Sequence, residues 1–93
     1  MDLSDWHGES NRRLEAVLEA LIEEHASNAN LRGVEAMNDS SWSSGTISWL
    51  IELLAEEQIA VSPEMYDELV AIAAMCGYDR DELIGIPIKG RDV

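Results

Sequence analysis

Two histidines, one cysteine and a set of carboxylates are the side chains of this sequence that could do chemistry. A zinc or di-iron site in a helical protein needs ligands at helical spacing, such as Glu-x-x-His. The residue three positions before His25 is Ile22, so His25 lacks that pattern. We therefore interpret His25 as a helix-end residue whose ring lies on the core. Cys76 lies on an apolar helix face, which is typical of a small core residue.

Sequence patterns typical of enzymes are missing from the chain. It has no Gly-rich phosphate loop, no nucleophile elbow and no pair of acids in an apolar frame. Its acids lie on the polar faces of predicted helices. We therefore expect a protein that is not an enzyme and that has no catalytic residue, cofactor site or metal site.

The charge balance indicates which kinds of partner the chain attracts. Nineteen acids and six bases give a net charge of −13 and a pI near 4.2. Such a charge repels nucleic-acid phosphates and anionic lipid, and it attracts basic proteins. Neither Lys nor Arg occurs between Arg32 and Arg80, although acids are frequent in that interval. The complementary charges are therefore expected on another molecule. The simpler alternative is that the net charge of −13 only keeps the protein soluble.

The candidate partner-binding residues are acids of this interval together with one aromatic residue. Each acid has the alternative interpretation of a solvated residue on a helix face. The aromatic residue is either an exposed anchor or a plug of its loop against the core. The candidates are Asp39, Trp42, Glu52, Glu56, Glu57, Glu64, Asp67 and Glu68.

Apolar residues recur at intervals of three and four, which predicts amphipathic helices that position these candidates. No segment shows the sustained alternation of a strand. We predict one all-α domain over residues 1–93, a compact bundle of four to five helices with loosely ordered ends at 1–9 and 86–93. The helices are expected at residues 10–26, 31–37, from Ser43 or Ser44 to about 58, at 63–76, and around Leu83 and Ile84, with a turn at 27–30 and a loop at 38–45.

Local signals predict where several helices begin and end. Ser10 is a candidate N-cap of the first helix. The run from Ser62 through Pro63 to an acid is typical of a helix start. Gly77 is expected to end the fourth helix in the left-handed conformation. Asp79 and the acid three residues later have the spacing of a capping box.

The central helix has two apolar sides. One side consists of Ile47, Leu50, Ile51 and Leu54. Trp49 and Leu53 form a second strip to the side of the first. A helix of this kind either lies at the centre of a bundle or offers its second side to a partner. Because the helices before and after it both need an apolar neighbour, we expect Trp49 and Leu53 in the core.

Residues 46–83 contain an ordered series of helix-punctuating residues. A large residue and Leu stand early in the central helix, acids stand near its end, and an Ile-x-hydrophobic bridge leads to a cap, an acid, Tyr, Met-x-Gly and an acidic turn. The corresponding residues are Trp49, Leu50, Glu56, Glu57, Ile59, Val61, Ser62, Glu64, Tyr66, Met75, Gly77 and Asp79. This series resembles the C-terminal half of the Maf-type immunity proteins and related small helical immunity proteins of bacterial polymorphic-toxin and contact-dependent inhibition systems.

The resemblance implies a stoichiometric inhibitor in the cytoplasm of the producing cell. Such a protein binds the toxin domain of its own system, often a nuclease, and masks its active site. The alternative is an acidic DNA mimic or another regulatory protein-binding module outside a toxin system. In both cases we expect a monomer that binds a basic protein, with no direct nucleic acid and no membrane contact. The sequence has neither a signal-peptide pattern nor an apolar run long enough to cross a bilayer.

Overall fold

Helices follow one another along the whole described part of the chain. The structure, a computed structural model, describes residues 3–40 and 43–90, with side chains for 8–38 and 45–90. The elements are α1 (Leu3–Glu24), α2 (Ala29–Ser40), α3 (Ser43–Glu56), α4 (Pro63–Met75) and a 3₁₀ helix (Arg80–Leu83). The described residues include no strand beyond one isolated bridge. The predicted all-α bundle is therefore confirmed.

Helix α3 is the central element, as its two apolar sides predict. It contacts α1, α2, α4 and the 3₁₀ helix. Ile47, Leu50 and Leu54 are fully buried, and Leu53 is buried beside them. The radius of gyration is 12.6 Å, close to the ~12.3 Å expected for a compact chain of this length. One core therefore joins all five elements.

Helices α1 and α2 are longer than their apolar patterns indicate. Helix α1 begins at Leu3, so Ser10 lies buried within it and is not its N-cap. Helix α2 continues to Ser40, into residues predicted to form a loop. The predicted turn between them includes Asn28, whose side-chain oxygen accepts hydrogen bonds from the backbone N–H groups of Asn30 and Leu31. Asn28 therefore caps α2.

Helix α4 begins and ends as the sequence predicts. The Ser62 hydroxyl accepts a hydrogen bond from the Met65 N–H at 3.1 Å, and Pro63 occupies the first helical position. At the other end Gly77 has φ +87°, which a residue without a side chain adopts at little cost. The Tyr78 N–H then donates to the Ala73 carbonyl at 2.9 Å. This bond is typical of a Schellman motif and satisfies a carbonyl at the end of the helix.

Helix α3 ends in the same way without a glycine. Gln58 has φ +53°, and the following Ile59 N–H donates to the Leu54 carbonyl at 3.0 Å. The Gln58 side chain donates to the Ala55 carbonyl at 2.6 Å. Ile59 is buried after this turn, so the segment that follows α3 is directed back onto the core.

The residues after α4 return to the bridge between α3 and α4. Asp79 precedes the 3₁₀ helix as predicted, but its side chain makes no capping hydrogen bond. The Val61 N–H donates to the Pro87 carbonyl at 3.0 Å, and the Lys89 N–H donates to the Val61 carbonyl at 2.8 Å. Ile86 is buried, so residues 86–90, expected to be loosely ordered, lie along this bridge.

Candidate partner-binding surface

Glu68 is held by a cation of its own chain. The Arg13 guanidinium on α1 donates to its two oxygens at 2.9 and 2.5 Å. The pKa of the Glu68 carboxyl is lowered, first by the hydrogen bonds from Arg13 and further by the charge of that cation, although desolvation opposes both. Arg13 also lies 3.4 Å from the Met75 sulfur. Glu68 therefore joins α4 to α1.

Glu57 is also bound within the molecule. Its two oxygens accept hydrogen bonds from the side-chain amides of Asn28 at 3.0 Å and Asn30 at 2.7 Å. Asn28 caps α2 through its oxygen while its NH₂ group binds Glu57. This carboxylate therefore holds the turn between α1 and α2 against the end of α3.

Four other candidate acids are exposed and lack an intramolecular partner among the described residues. Glu52 and Glu56 lie one turn apart on α3, and Glu64 and Asp67 lie on the outer side of α4. Glu64 is in the first turn of α4, where a negative charge favours the helix. Glu52, Glu56 and Asp67 have no such local role, so they are the acids best placed to meet another molecule.

Two candidates cannot be placed on this surface. The backbone of Asp39 belongs to α2, but its side chain lies outside the described residues, and so does the whole of Trp42. Another aromatic residue lies on the same helix as two of the exposed acids.

Trp49 is that residue, and its expected core position is wrong. Its side chain is 40% exposed, whereas Leu53 one turn later is buried. A Cβ placed at Gly33 of α2 would lie 3.5 Å from Cη2 of the Trp49 ring. The ring edge therefore lies against α2 at Gly33, and about two-fifths of the residue is accessible to a partner. Glu52 and Glu56 follow at three and seven residues, and we call Trp49, Glu52 and Glu56 the α3 outer strip.

The 3₁₀ helix lies beside the other edge of α3. A Cβ at Gly85 would be 3.3 Å from the Ala55 Cβ, and Ile84 next to it is 75% exposed. Asp81 and Glu82 are exposed acids of this segment, and Arg80 is an exposed cation. Apolar and acidic side chains thus lie on more than one element around α3.

A second acidic row lies on α1. Glu15, Glu19 and Glu23 follow at intervals of four and are all exposed. These acids lie on the exposed side of α1, so they belong to a different element from the α3 outer strip. The spacing of four residues makes this row recognisable in the sequence. None of its members is among the partner-binding residues predicted from the sequence.

The residues considered for metal or redox chemistry lie after the ends of two helices. His25 follows α1 and is half-buried, and its Nε2 is a buried atom with no hydrogen-bond partner among the described residues. Cys76 is half-buried after α4, beside the core. Within residues 3–40 and 43–90, no group of three or more His, Cys, Asp or Glu residues is arranged to hold a metal ion. No helix of this part of the chain is long and apolar enough to cross a membrane.

Comparison of the chain with known proteins gives no matching family model, no matching curated protein and no matching solved structure. The arrangement of the acids and of Trp49 is therefore the basis for a functional proposal.

Proposed function

We propose that this chain is an immunity protein, which binds a cognate bacterial toxin domain and neutralises it by covering its active site or substrate groove. The observation that carries the proposal is the set of exposed carboxylates on α3 and α4 that have no internal partner among the residues that the structure describes. Glu52, Glu56 and Asp67 lie in a stretch that has no Lys or Arg between residues 33 and 79. These acids give the surface a strong negative potential, which favours a basic protein partner.

The toxin class that this potential suits best is a nuclease. A nuclease binds phosphates through Lys and Arg, so its substrate groove is basic. A protein that presents carboxylates to such a groove accelerates encounter and excludes the nucleic acid. The inhibitor itself does not contact nucleic acid or membrane, because both are anionic. It acts in the cytoplasm of the producing cell, and its own net charge of −13 keeps it monomeric.

Mimicry of DNA outside a toxin system receives less support from the acid spacing. Carboxylates at intervals of four, as in the pair Glu52 and Glu56, are separated by about 6 Å along a helix axis. One DNA strand carries a phosphate every ~3.4 Å. Helix α3 carries only these two acids, so it does not present a continuous row of charges like that of a DNA strand. An interface with a few discrete contacts fits this spacing better than an imitation of the phosphate backbone.

Co-expression tests the function directly. The proposal predicts a large toxin gene immediately upstream of the gene for this chain. The C-terminal domain of that toxin should arrest growth, and this chain should restore growth when both are produced. A toxin domain from an unrelated system, equally basic and produced at the same level, is the control and should remain toxic. Continued growth arrest by the upstream domain, with this protein soluble and abundant in the same cells, would refute the immunity function.

A further inference from the structure

The α3 outer strip combines an aromatic surface with two carboxylates on one exposed helix face. Trp49 is 40% exposed, and its ring edge is supported by the α2 backbone at Gly33. A supported ring loses little conformational freedom when a partner covers it, which is typical of an interface anchor. Glu52 is three residues further along α3, so its carboxylate lies on the same side of the helix, one turn away.

This combination suits an arginine side chain better than any other cationic group. A guanidinium stacks on an indole face, and its planar donors bind a carboxylate in bidentate fashion. A lysine ammonium has the same charge but is a compact, strongly hydrated point charge. The strip therefore has two features that favour arginine over lysine, and one of them, the indole, is absent from a surface of carboxylates alone.

We propose that the α3 outer strip is a docking surface for an arginine-bearing segment of a protein partner. One arginine of that segment stacks on Trp49 and pairs with Glu52, and further cations approach Glu56. The proposal deepens the immunity function, on which it rests for the identity of the partner. A second copy of this chain is disfavoured as the occupant, because two molecules of net charge −13 would bring like charges together.

Two model peptides test the preference without a toxin. The probes are capped eleven-residue peptides of alanine with three arginines, or with three lysines at the same positions. Each is titrated into the ¹⁵N-labelled full chain, and binding is followed by the backbone and indole N–H signals. The expected result is about two- to fivefold tighter binding of the arginine peptide. The largest shifts should fall on Trp49, Glu52 and Glu56.

Variants establish whether the indole causes the preference. Trp49→Leu keeps an apolar side chain against Gly33 but removes the aromatic face, so the arginine preference should fall clearly below that of the unaltered chain, to what bidentate pairing with Glu52 supplies alone. A variant with Gln at positions 15, 19 and 23 loses three acids from α1 and should keep the preference. Equal affinity of the two peptides for the unaltered chain, or shifts centred on the α1 row, would overturn the proposal.

Two measurements with the toxin domain, growth rescue and binding affinity, test the docking surface and the immunity function independently. Growth rescue by the unaltered chain, together with an undiminished toxin affinity of the Trp49→Leu variant, would overturn the docking surface and leave the immunity function intact. Arginine-selective binding at Trp49 without any rescue would support the docking surface and refute the immunity function.

Discussion

At the scale of single residues, the acids of this chain divide into those that stabilise the fold and those that remain available. Glu57 and Glu68 each accept two hydrogen bonds from side chains of the same molecule. Glu52, Glu56 and Asp67 make no such contact within the described residues. Sequence patterns place all five on polar helix faces, but they do not distinguish the two groups. The distinction depends on Arg13 and Asn28, which belong to other elements and come close only in the folded chain.

The contact between Arg13 and Glu68 predicts a pH-dependent contribution to stability. The pKa of Glu68 is lower in the folded chain, so the folded state binds fewer protons. The contribution is therefore present above the unfolded pKa of ~4.3 and is lost as the pH falls through the folded value. Because both side chains are about one-third exposed, we expect Glu68→Gln to lower the free energy of unfolding at pH 7 by only ~0.2–1 kcal/mol.

Urea denaturation at pH 7 and at pH 3 measures this difference. Asp67→Asn is the matched control, because it removes a neighbouring carboxylate of α4 without an internal partner. The control should change stability little at either pH. A Glu68→Gln effect that is as large at pH 3 as at pH 7 would contradict the assignment to the ion pair.

At the scale of elements, helix ends follow the sequence where local chemistry determines them. Helix α4 begins after Ser62 and ends before Gly77, as predicted. Both signals are local, because a capping hydroxyl and a left-handed glycine affect only the residues next to them. The end of α3 has no glycine, and Gln58 adopts φ +53° while the next residue becomes buried. That conformation depends on tertiary contacts, which the local sequence does not encode in a recognisable pattern.

Dependence on tertiary contacts also explains why the sequence predicts a core position for Trp49 that the structure does not show. Trp49 and Leu53 lie about 40° apart around the helix, so the apolar periodicity predicts the same burial for both. Leu53 is buried, but Trp49 meets the α2 backbone at Gly33 near the edge of the interface. Its exposure depends on how α2 and α3 align, which the pattern of either helix does not specify. The fold class and core face were thus predictable, and the aromatic part of the surface was not.

Gly33 also offers a test of the packing between α2 and α3. An added Cβ would be 3.5 Å from the Trp49 ring, which is an ordinary contact distance. Alanine is favoured over glycine within a helix, so we expect Gly33→Ala to raise the free energy of unfolding by ~0.5–1 kcal/mol. Chemical denaturation monitored by circular dichroism measures the change.

The same substitution at Gly77 is the control and should have the opposite sign. There φ is +87°, so alanine is strained whatever space surrounds it. The expected loss is ~1–2 kcal/mol. Destabilisation by Gly33→Ala would contradict the 3.5 Å separation between the added Cβ and the Trp49 ring.

At the scale of the whole molecule, the position of charge matters more than its total. The acids of α1 and those of α3 and α4 contribute to the same net charge of −13. Glu15, Glu19 and Glu23 lie on a different helix from the α3 outer strip, so the chain contains its own matched control for long-range electrostatics. General attraction of a basic partner depends on both sets, whereas specific contacts depend only on the set at the interface.

The central claim is that carboxylates of α3 and α4 form the surface that meets the toxin. The most direct measurement is stopped-flow association of the toxin domain with two triple variants over a range of salt concentrations. One has Lys at positions 52, 56 and 67, and the other has Lys at positions 15, 19 and 23, so their net charges are equal. We predict that the first variant binds at least about tenfold more weakly than the second, associates more slowly and depends less on salt. Equal losses in both variants, or a larger loss in the α1 variant, would contradict the claim.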